Sequence, residues 1–326
     1  MTAKKTVKSR LLELLEQNKG KVISGERIAE ELSCTRAAVW KAVKSLREEG
    51  YEIEAGPNKG YMLSRDSNFL TEEGIRPLLK RQGSYLKVYP EIDSTNRAAK
   101  EAAVAGMAFH GSAVLAQRQN AGRGRRGRKF YSPGDSGLYL SVILEPKGSL
   151  RENLILTAQA ASAVFKAVKE ITGISLDIKW VNDLYYQGKK VCGILTEAVT
   201  DFESGEIQFA VIGIGLNLYE PEDGFPPELK GIAGGLYPNG EEAETVNRNR
   251  LAAALINCLL EETEELRIPS EYFRNNVVPG HRIQILDGER TRFANALEIC
   301  PDGRLKIQEE DGTETLLSYG EVSLKI

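Results

Sequence analysis

Between Gly122 and Lys129 the chain reads Gly-Arg-Gly-Arg-Arg-Gly-Arg-Lys, three glycines, four arginines and one lysine in eight residues. Glycine lets backbone approach a bound group closely, and clustered cations repel one another until an anion arrives. This composition predicts a mobile loop that orders around a phosphate or acyl-phosphate. A nucleic-acid patch or a solvated basic loop fits it nearly as well, and the residues alone leave the choice open. Gly122, Gly124 and Gly127 also satisfy the G-x-G-x-x-G pattern of dinucleotide sites. That reading needs a helix to begin there, with its N-terminus under the pyrophosphate. Instead the chain continues through Ser132-Pro-Gly-Asp-Ser-Gly137 into an apolar strand, Leu138–Leu144, which excludes it. Three other segments carry polar groups at ordered places. Asp93-Ser94-Thr95-Asn96 opens an alanine-rich helix, where hydroxyls and free N–H groups share the positive end; on local sequence alone a plain helix cap made by Ser94 or Asp93 is the favoured reading. Lys190 follows a Gly188-Lys189 turn. Gly213-Ile-Gly-Leu-Asn217 places glycines inside an apolar strand, where something packs or binds against the backbone.

Only two histidines, His110 and His281, and four scattered cysteines are present. The cysteines show neither metal-ligand spacing nor a disulfide framework, and two histidines argue against a zinc or Ser-His-Asp mechanism. No run approaches the roughly 18 apolar residues of a membrane span, and the charged N-terminus lacks an export-type apolar segment. A cytoplasmic protein with no membrane association is expected. The net charge of −3 is uneven: 13 Lys and Arg against 9 Asp and Glu make residues 1–65 +4, and 30 against 37 make the remainder −7.

The basic head has its own pattern. A leucine-rich helix (Leu11, Leu12, Leu14, Leu15) ends near Gly20, Ser24 caps a second helix, and Thr35 caps a third that runs to Glu49-Gly50. In the third helix Val39, Val43 and Leu46 form an inward stripe, with Arg36, Trp40, Lys41 and Lys44 on the opposite arc. Two short helices around a tight turn, the second cationic, make a helix-turn-helix whose second helix enters the major groove. The alternation from Tyr51 to Leu63 around Gly56-Pro-Asn-Lys-Gly60 is a hairpin wing. DNA binding is favoured over a protein-docking role, with Thr35, Arg36, Trp40, Lys41 and Lys44 as groove candidates and Lys59 at the wing tip.

Beyond it, residues 66–83 form a linker with a short helical stretch, and 84–275 alternate strands and helices as a mixed α/β sheet domain. Residues 276–326 read as short strands separated by Asp-Gly turns, a small β-barrel. The whole is an α+β multidomain chain with a winged helix-turn-helix at residues 1–65.

The string Gly122–Lys129 resembles the biotin-binding loop of bacterial biotin protein ligases. So do Lys179-Trp-Val-Asn-Asp183 with Gly188-Lys-Lys-Val-Cys-Gly193, and Asp93–Asn96 and Gly213–Asn217 complete the set in family order. With the winged helix in front, the resemblance covers essentially the whole chain and is to the bifunctional ligase/repressor type. Two positions depart from the pattern: Val181, where some members carry proline, and Phe130, where tryptophan often lies near the adenine. The resemblance implies a ligase domain of the class II aminoacyl-tRNA synthetase type and an SH3-like C-terminal barrel. It implies that Ser94, Thr95, Asn96 and Gln119 bind the ureido head of biotin, with Arg123, Gly124, Arg125, Lys190 and Gly193 around the rest of the ligand. Arg125 and Lys190 would be the catalytic groups, and Arg126, Arg128, Phe130, Asn182, Asp183 and Asn217 would line the nucleotide side. Biotin and ATP, with Mg2+, are then the substrates. Partners are a biotin carboxyl carrier protein domain of acetyl-CoA or pyruvate carboxylase, operator DNA, and a second copy of the chain when adenylate is bound. Two other classes stay open: a sensor-repressor that binds biotin without catalysis, and an acyl-adenylate ligase for lipoate or another acid.

Overall fold

The computed structural model describes residues 6–324 apart from 57–59, 65–66, 68, 82–83, 135, 147–152, 201–206, 238–245, 288–289 and 319–320. The chain divides into two compact units, one of Met1–Lys80 with Thr245–Ala253, the other of Arg81–Glu244 with Ala254–Ile326.

In the first unit three helices, α1 (Val7–Gln17), α2 (Gly25–Glu31) and α3 (Arg36–Glu48), precede a hairpin, β1 (Ile53–Gly56) and β2 (Gly60–Leu63). Each helix begins where the sequence supplies a hydroxyl: Thr6, Ser24 and Thr35 accept from the N–H groups of Ser9, Arg27 and Ala38. Such caps satisfy one of the unpaired donors of a first turn. The tight turn between α2 and α3 holds Ser33 at φ 49, in the left-handed region. Leu11, Leu15, Ile28, Val39, Val43, Leu46 and Leu63 fill the interior, and full burial of each such side chain contributes about 1.5–3 kcal/mol. Gly60 closes the hairpin at φ 89, where a Cβ would lie 2.2 Å from the Ile23 carbonyl oxygen. A short helix, α4 (Glu72–Ile75), follows, capped by Thr71.

A polar cluster joins these parts. Asn249 accepts from the Thr71 N–H at 2.9 Å and donates to the Phe69 carbonyl at 3.0 Å and to Glu16 at 3.4 Å. Burial raises the Glu16 carboxyl, opposed by Lys19 and reinforced by Glu73. An acid whose folded value is raised stabilises below its unfolded value and loses that contribution as pH climbs through the folded one. Glu16→Gln is therefore expected to raise the melting temperature at pH 7 and to flatten its decline between acid and neutral pH. Thermal melts at several pH values check this; a variant melting lower than the parent at pH 7 would refute it.

The second unit is built on a seven-stranded sheet. Its strands are β3 (Leu86–Ile92), β4 (Ala113–Gln119), β5 (Gly137–Leu144), β6 (Asp177–Lys179), β7 (Asp183–Tyr186), β8 (Lys189–Thr200) and β9 (Ile207–Asn217), in the order β3-β4-β5-β9-β8-β7-β6. Among the described strands of this sheet only β3 and β4 pair in parallel, and α5 (Thr95–Val104) makes the crossover between them, as a parallel pair requires. Ala99 and Ala102 let α5 lie close on Val114, Ile143 and Val211 of the sheet. Every residue of β5 is buried, which explains its unbroken apolar run. The long helix α6 (Asn153–Thr172) and α7 (Arg248–Glu262) lie where 3.6-residue periodicity places them. Strands β4 and β8 run further than their apolar cores predict, because their polar ends are held by ladder pairs Ile92↔Gln119 and Thr200↔Ile207. A short helix, α8 (Ser270–Arg274), was not signalled by the sequence.

After it come five antiparallel strands, β10 (Arg282–Asp287), β11 (Arg290–Ile299), β12 (Leu305–Glu309), β13 (Glu314–Leu317) and β14 (Glu321–Leu324), ordered β13-β12-β11-β10-β14. The Gly303 and Gly312 turns stand at φ 86 and 85, as Asp-Gly turns require. The strand β14, too short and mixed to show in the sequence, pairs with β10. None of the four cysteines forms a disulfide, and no described helix is long and apolar enough to cross a membrane.

Candidate functional site

The start of α5 lies over the sheet beside β4 and β5. Ser94 takes the N-cap position, but contrary to expectation its side chain makes no capping bond, and Asp93 pairs with Arg97. The free N–H of Thr95 goes instead to Gln119 Oε1 at 2.9 Å, and Thr95 Oγ1 donates to the same oxygen at 3.1 Å. Gln119 Nε2 in turn donates to Ser132 Oγ at 3.0 Å. Beneath them, on β5, Ser141 reaches Thr95 Oγ1 at 2.8 Å and Asn96 Oδ1 at 2.6 Å. Ser94, Thr95 and Asn96 are all buried. This is a preset array of donors and acceptors, suited to a small polar group entering the cavity.

The basic loop folds on itself. The Phe130 N–H donates to the Gly122 carbonyl at 2.9 Å and the Gly124 N–H to the Arg128 carbonyl at 2.7 Å. Between these bonds Arg125–Gly127 forms a single 3-10 turn with Arg126 at φ 56 and Gly127 at φ 74. Side chains leave the loop in different directions. Arg125 donates to Asn182 Oδ1 at 3.0 Å, Arg123 lies 3.5 Å from Glu197, and Arg126 reaches the Leu286 carbonyl of β10 at 3.4 Å. Arg126 thus reaches toward the C-terminal strands.

The third wall comes from β7, β8 and β9. Lys190 Nζ lies 2.6 Å from Asp183 Oδ1, with both side chains partly shielded. Asn182 Nδ2 donates to the Ile194 carbonyl at 2.9 Å, and Asn217 Nδ2 to the Gly234 carbonyl at 3.1 Å. Gly193 and Gly215 are paired across β8 and β9. The Phe130 ring rests on both: a Cβ at Gly215 would meet its ring at 2.4 Å, one at Gly193 at 3.2 Å. Trp180 is buried, lines the cavity and donates from Nε1 to the Gly303 carbonyl at 2.9 Å, which anchors this wall. Cys192 is buried, and burial pushes its thiol far up, which makes it an unreactive wall group.

These walls enclose one cavity of about 400 Å³. All the residues assigned by resemblance to biotin and nucleotide line it: Ser94, Thr95, Asn96 and Gln119; Arg123, Gly124, Arg125, Arg126, Arg128 and Phe130; Asn182, Asp183, Lys190, Gly193 and Asn217. Tyr131, Phe225, Leu229, Ile232 and Val322 also line it and were not singled out in the sequence, nor were Ser141 and Glu197. Tyr131 and Phe225 meet edge to face at 6.5 Å between centroids. A lone serine in the apolar run Leu138–Leu144 and a lone acid in Gly193–Val199 were the signals for Ser141 and Glu197. Asp183 and Glu228 are the carboxylates on the wall. Among the described residues no group of three or more His, Cys, Asp or Glu could hold a metal.

In the first unit, α3 exposes Trp40 and Lys41, and Lys44 lies over the Trp40 ring at 5.8 Å. Arg36 pairs with Glu26 at 2.8 Å on the surface, and Thr35 serves as the helix cap. Lys59 lies outside the described residues.

The model of the biotin/lipoate A/B protein ligase family matches residues 88–217, and an HTH domain model matches residues 7–62. The bifunctional ligase/repressor BirA of Bacillus spizizenii is 35% identical over 323 residues, 96% of this chain and 97% of that protein. The bifunctional ligase/repressor BirA of Escherichia coli is 30% identical over 98% of each chain. Among solved structures, the biotin protein ligase from Aquifex aeolicus in complex with biotin and ATP superposes with a TM-score of 0.60. It is 29% identical, and the match covers 74% of this chain and 98% of that one.

Proposed function

The chain belongs to the biotin/lipoate A/B protein ligase family, and from that premise we infer that it activates biotin with ATP and transfers it to a lysine of a biotin carboxyl carrier protein. Its helix-turn-helix head makes it also a repressor of biotin genes, with biotinoyl-5′-adenylate as corepressor. One observation carries the enzymatic half: a preset polar array (Thr95, Asn96, Gln119, Ser141) and two cations (Arg125, Lys190) converge on one cavity.

In the first step a carboxylate oxygen of biotin attacks the α-phosphorus of ATP, the new C(O)–O–P bond forms, and pyrophosphate leaves. Two anions must meet there, and negative charge builds on the oxygens around the α-phosphorus. Arg125 and Lys190 supply the compensating charge, already held by Asn182 and Asp183 and so requiring little reorganisation. Magnesium arrives with the nucleotide, and Asp183, paired with Lys190, is the wall carboxylate that would meet it. In the second step the carrier lysine amine attacks the acyl carbon, the amide forms, and AMP leaves. No enzyme nucleophile is needed, in keeping with the inert Cys192 thiol. The ordered basic loop over the adenylate limits its hydrolysis. Phe130, seated on Gly193 and Gly215, offers a flat apolar surface beside Lys190.

The same reading places domain boundaries at 1–65, 66–83, 84–275 and 276–326, gives the ligase domain a class II aminoacyl-tRNA synthetase-like fold, and makes the C-terminal strands an SH3-like barrel. The carrier is a carboxylase domain, and adenylate promotes a homodimer whose paired heads read a palindromic operator. Biotin-dependent exchange of labelled pyrophosphate into ATP, with lipoate and octanoate as controls, tests the ligase. Exchange with lipoate but not biotin would replace it, and biotin binding without exchange would leave a sensor-repressor.

For the head, Lys41 is exposed on α3. Lys41→Ala is expected to weaken operator binding and reduce the slope of log affinity against log salt by about 1. An unchanged slope would remove Lys41 from the phosphate contacts.

A further inference from the structure

Glu197 stands on β8 two residues beyond Leu195 and four beyond Gly193, so all three side-chain positions share one face of the strand. Its two carboxylate oxygens are divided between two partners. Oε2 accepts from Asn96 Nδ2 at 2.8 Å, and Oε1 lies 3.5 Å from the Arg123 guanidinium of the basic loop. On its other side Asn96 Oδ1 accepts from the fully buried Ser141 hydroxyl at 2.6 Å. An ionised carboxylate only accepts, so the amide nitrogen of Asn96 must face Glu197 and its oxygen must face Ser141. The opposite orientation would set an amide oxygen against a carboxylate. Asn96 so held keeps a second lone pair on Oδ1 for a ligand N–H.

We propose that Glu197 is a positioning residue of the ligase site, which fixes the direction of the Asn96 amide and tethers the basic loop through Arg123. The proposal rests on the biotin reading of the cavity. Glu197 touches no reacting atom; it acts through Asn96, which meets the polar head of the substrate, and through Arg123, which belongs to the loop that covers it. One carboxylate thereby links the polar end of the cavity to the start of the cationic loop. The two roles separate chemically. Glutamine keeps an acceptor for Asn96 but loses the charge that attracts Arg123, whereas alanine loses both.

The test uses the full-length protein and three measurements: biotin affinity by calorimetry, thermal melting, and trypsin cleavage within Gly122–Lys129 without ligand. Glu197→Ala is expected to weaken biotin binding about tenfold, as the loss of one oriented hydrogen-bonding group does. Glu197→Gln is expected to stay within about threefold of the parent in affinity, because the Asn96 contact survives. It should nonetheless be cut in the loop up to about fivefold faster, the range of a partly exposed ion pair. A general loss of stability would lower melting and speed cleavage everywhere, not in this loop alone. Parental affinity in a folded Glu197→Ala overturns the proposal, as does Glu197→Gln losing as much affinity as alanine or being cut no faster than the parent. Should alanine not fold, affinity and cleavage of Glu197→Gln decide. A parent that binds no biotin refutes the ligase reading itself, a result distinct from variants that bind as the parent does.

Discussion

Lys190→Ala is expected to lower biotin-dependent pyrophosphate exchange by about 10²–10³-fold, the loss seen when one preorganised charge-stabilising donor is removed from a reacting centre. The ammonium lies 2.6 Å from Asp183 and lines the cavity with Arg125, whose guanidinium is held by Asn182. Its contribution to folding is much smaller. Both members of the pair are partly exposed, and such pairs contribute at most about 1 kcal/mol. The variant is therefore expected to stay folded, to lose less in biotin affinity than in turnover, and to recover little with added substrate. Adding Asp183→Asn to Lys190→Ala separates the missing cation from the uncompensated carboxylate it leaves behind. Exchange within tenfold of the parent would show that Arg125 carries the charge alone.

Gly213→Ala is expected to raise the KM for biotin about 30-fold, with a far smaller effect on the maximal rate. On β9, Gly213 faces Ser141 of β5 on one side and Leu195 of β8 on the other. Asn96 lies directly over it: an added Cβ would stand 2.2 Å from Asn96 Oδ1, 2.8 Å from Cγ and 3.0 Å from Nδ2. The asparagine is buried and held by Ser141 and Glu197, so it cannot yield by a simple rotation. Moving it breaks the bonds that Ser141 and Glu197 make with it, a cost of about 1–3 kcal/mol. At 1.4 kcal/mol per decade, about 2 kcal/mol corresponds to the stated 30-fold. Gly134→Ala is the control, since its Cβ would meet only Arg118 Cβ at 3.8 Å. A Gly213→Ala enzyme with parental KM would mean that Asn96 has no part in holding the substrate.

Short-range chemistry was legible in the sequence by itself. Helix starts at Ser24 and Thr35 follow from a hydroxyl bonding an N–H three residues on, a contact that needs no distant partner. The hairpin at β1 and β2, the Asp-Gly turns and the refusal of Gly122–Gly127 to open a helix are likewise local. Those lining residues that fall in contiguous strings, such as Ser94–Asn96 and Arg123–Arg126, were legible because the strings resemble a family whose order they carry along the chain.

Only the tertiary structure decided which strands are neighbours. Periodicity marks β5, β8 and β9 as strands, yet nothing local says that Ser141, Gly213 and Leu195 form one row across the sheet, with Asn96 above it. Ser141, Glu197, Phe225 and Val322 come to the site from segments up to 226 residues away from Asn96, through sheet register and the return of the C-terminal strands. Trp180 shows the same limit: the string Lys179–Asp183 marks it, while the carbonyl it bonds belongs to a turn 123 residues later. Register and long-range packing depend on burial summed over the whole sheet, which no single window of sequence contains.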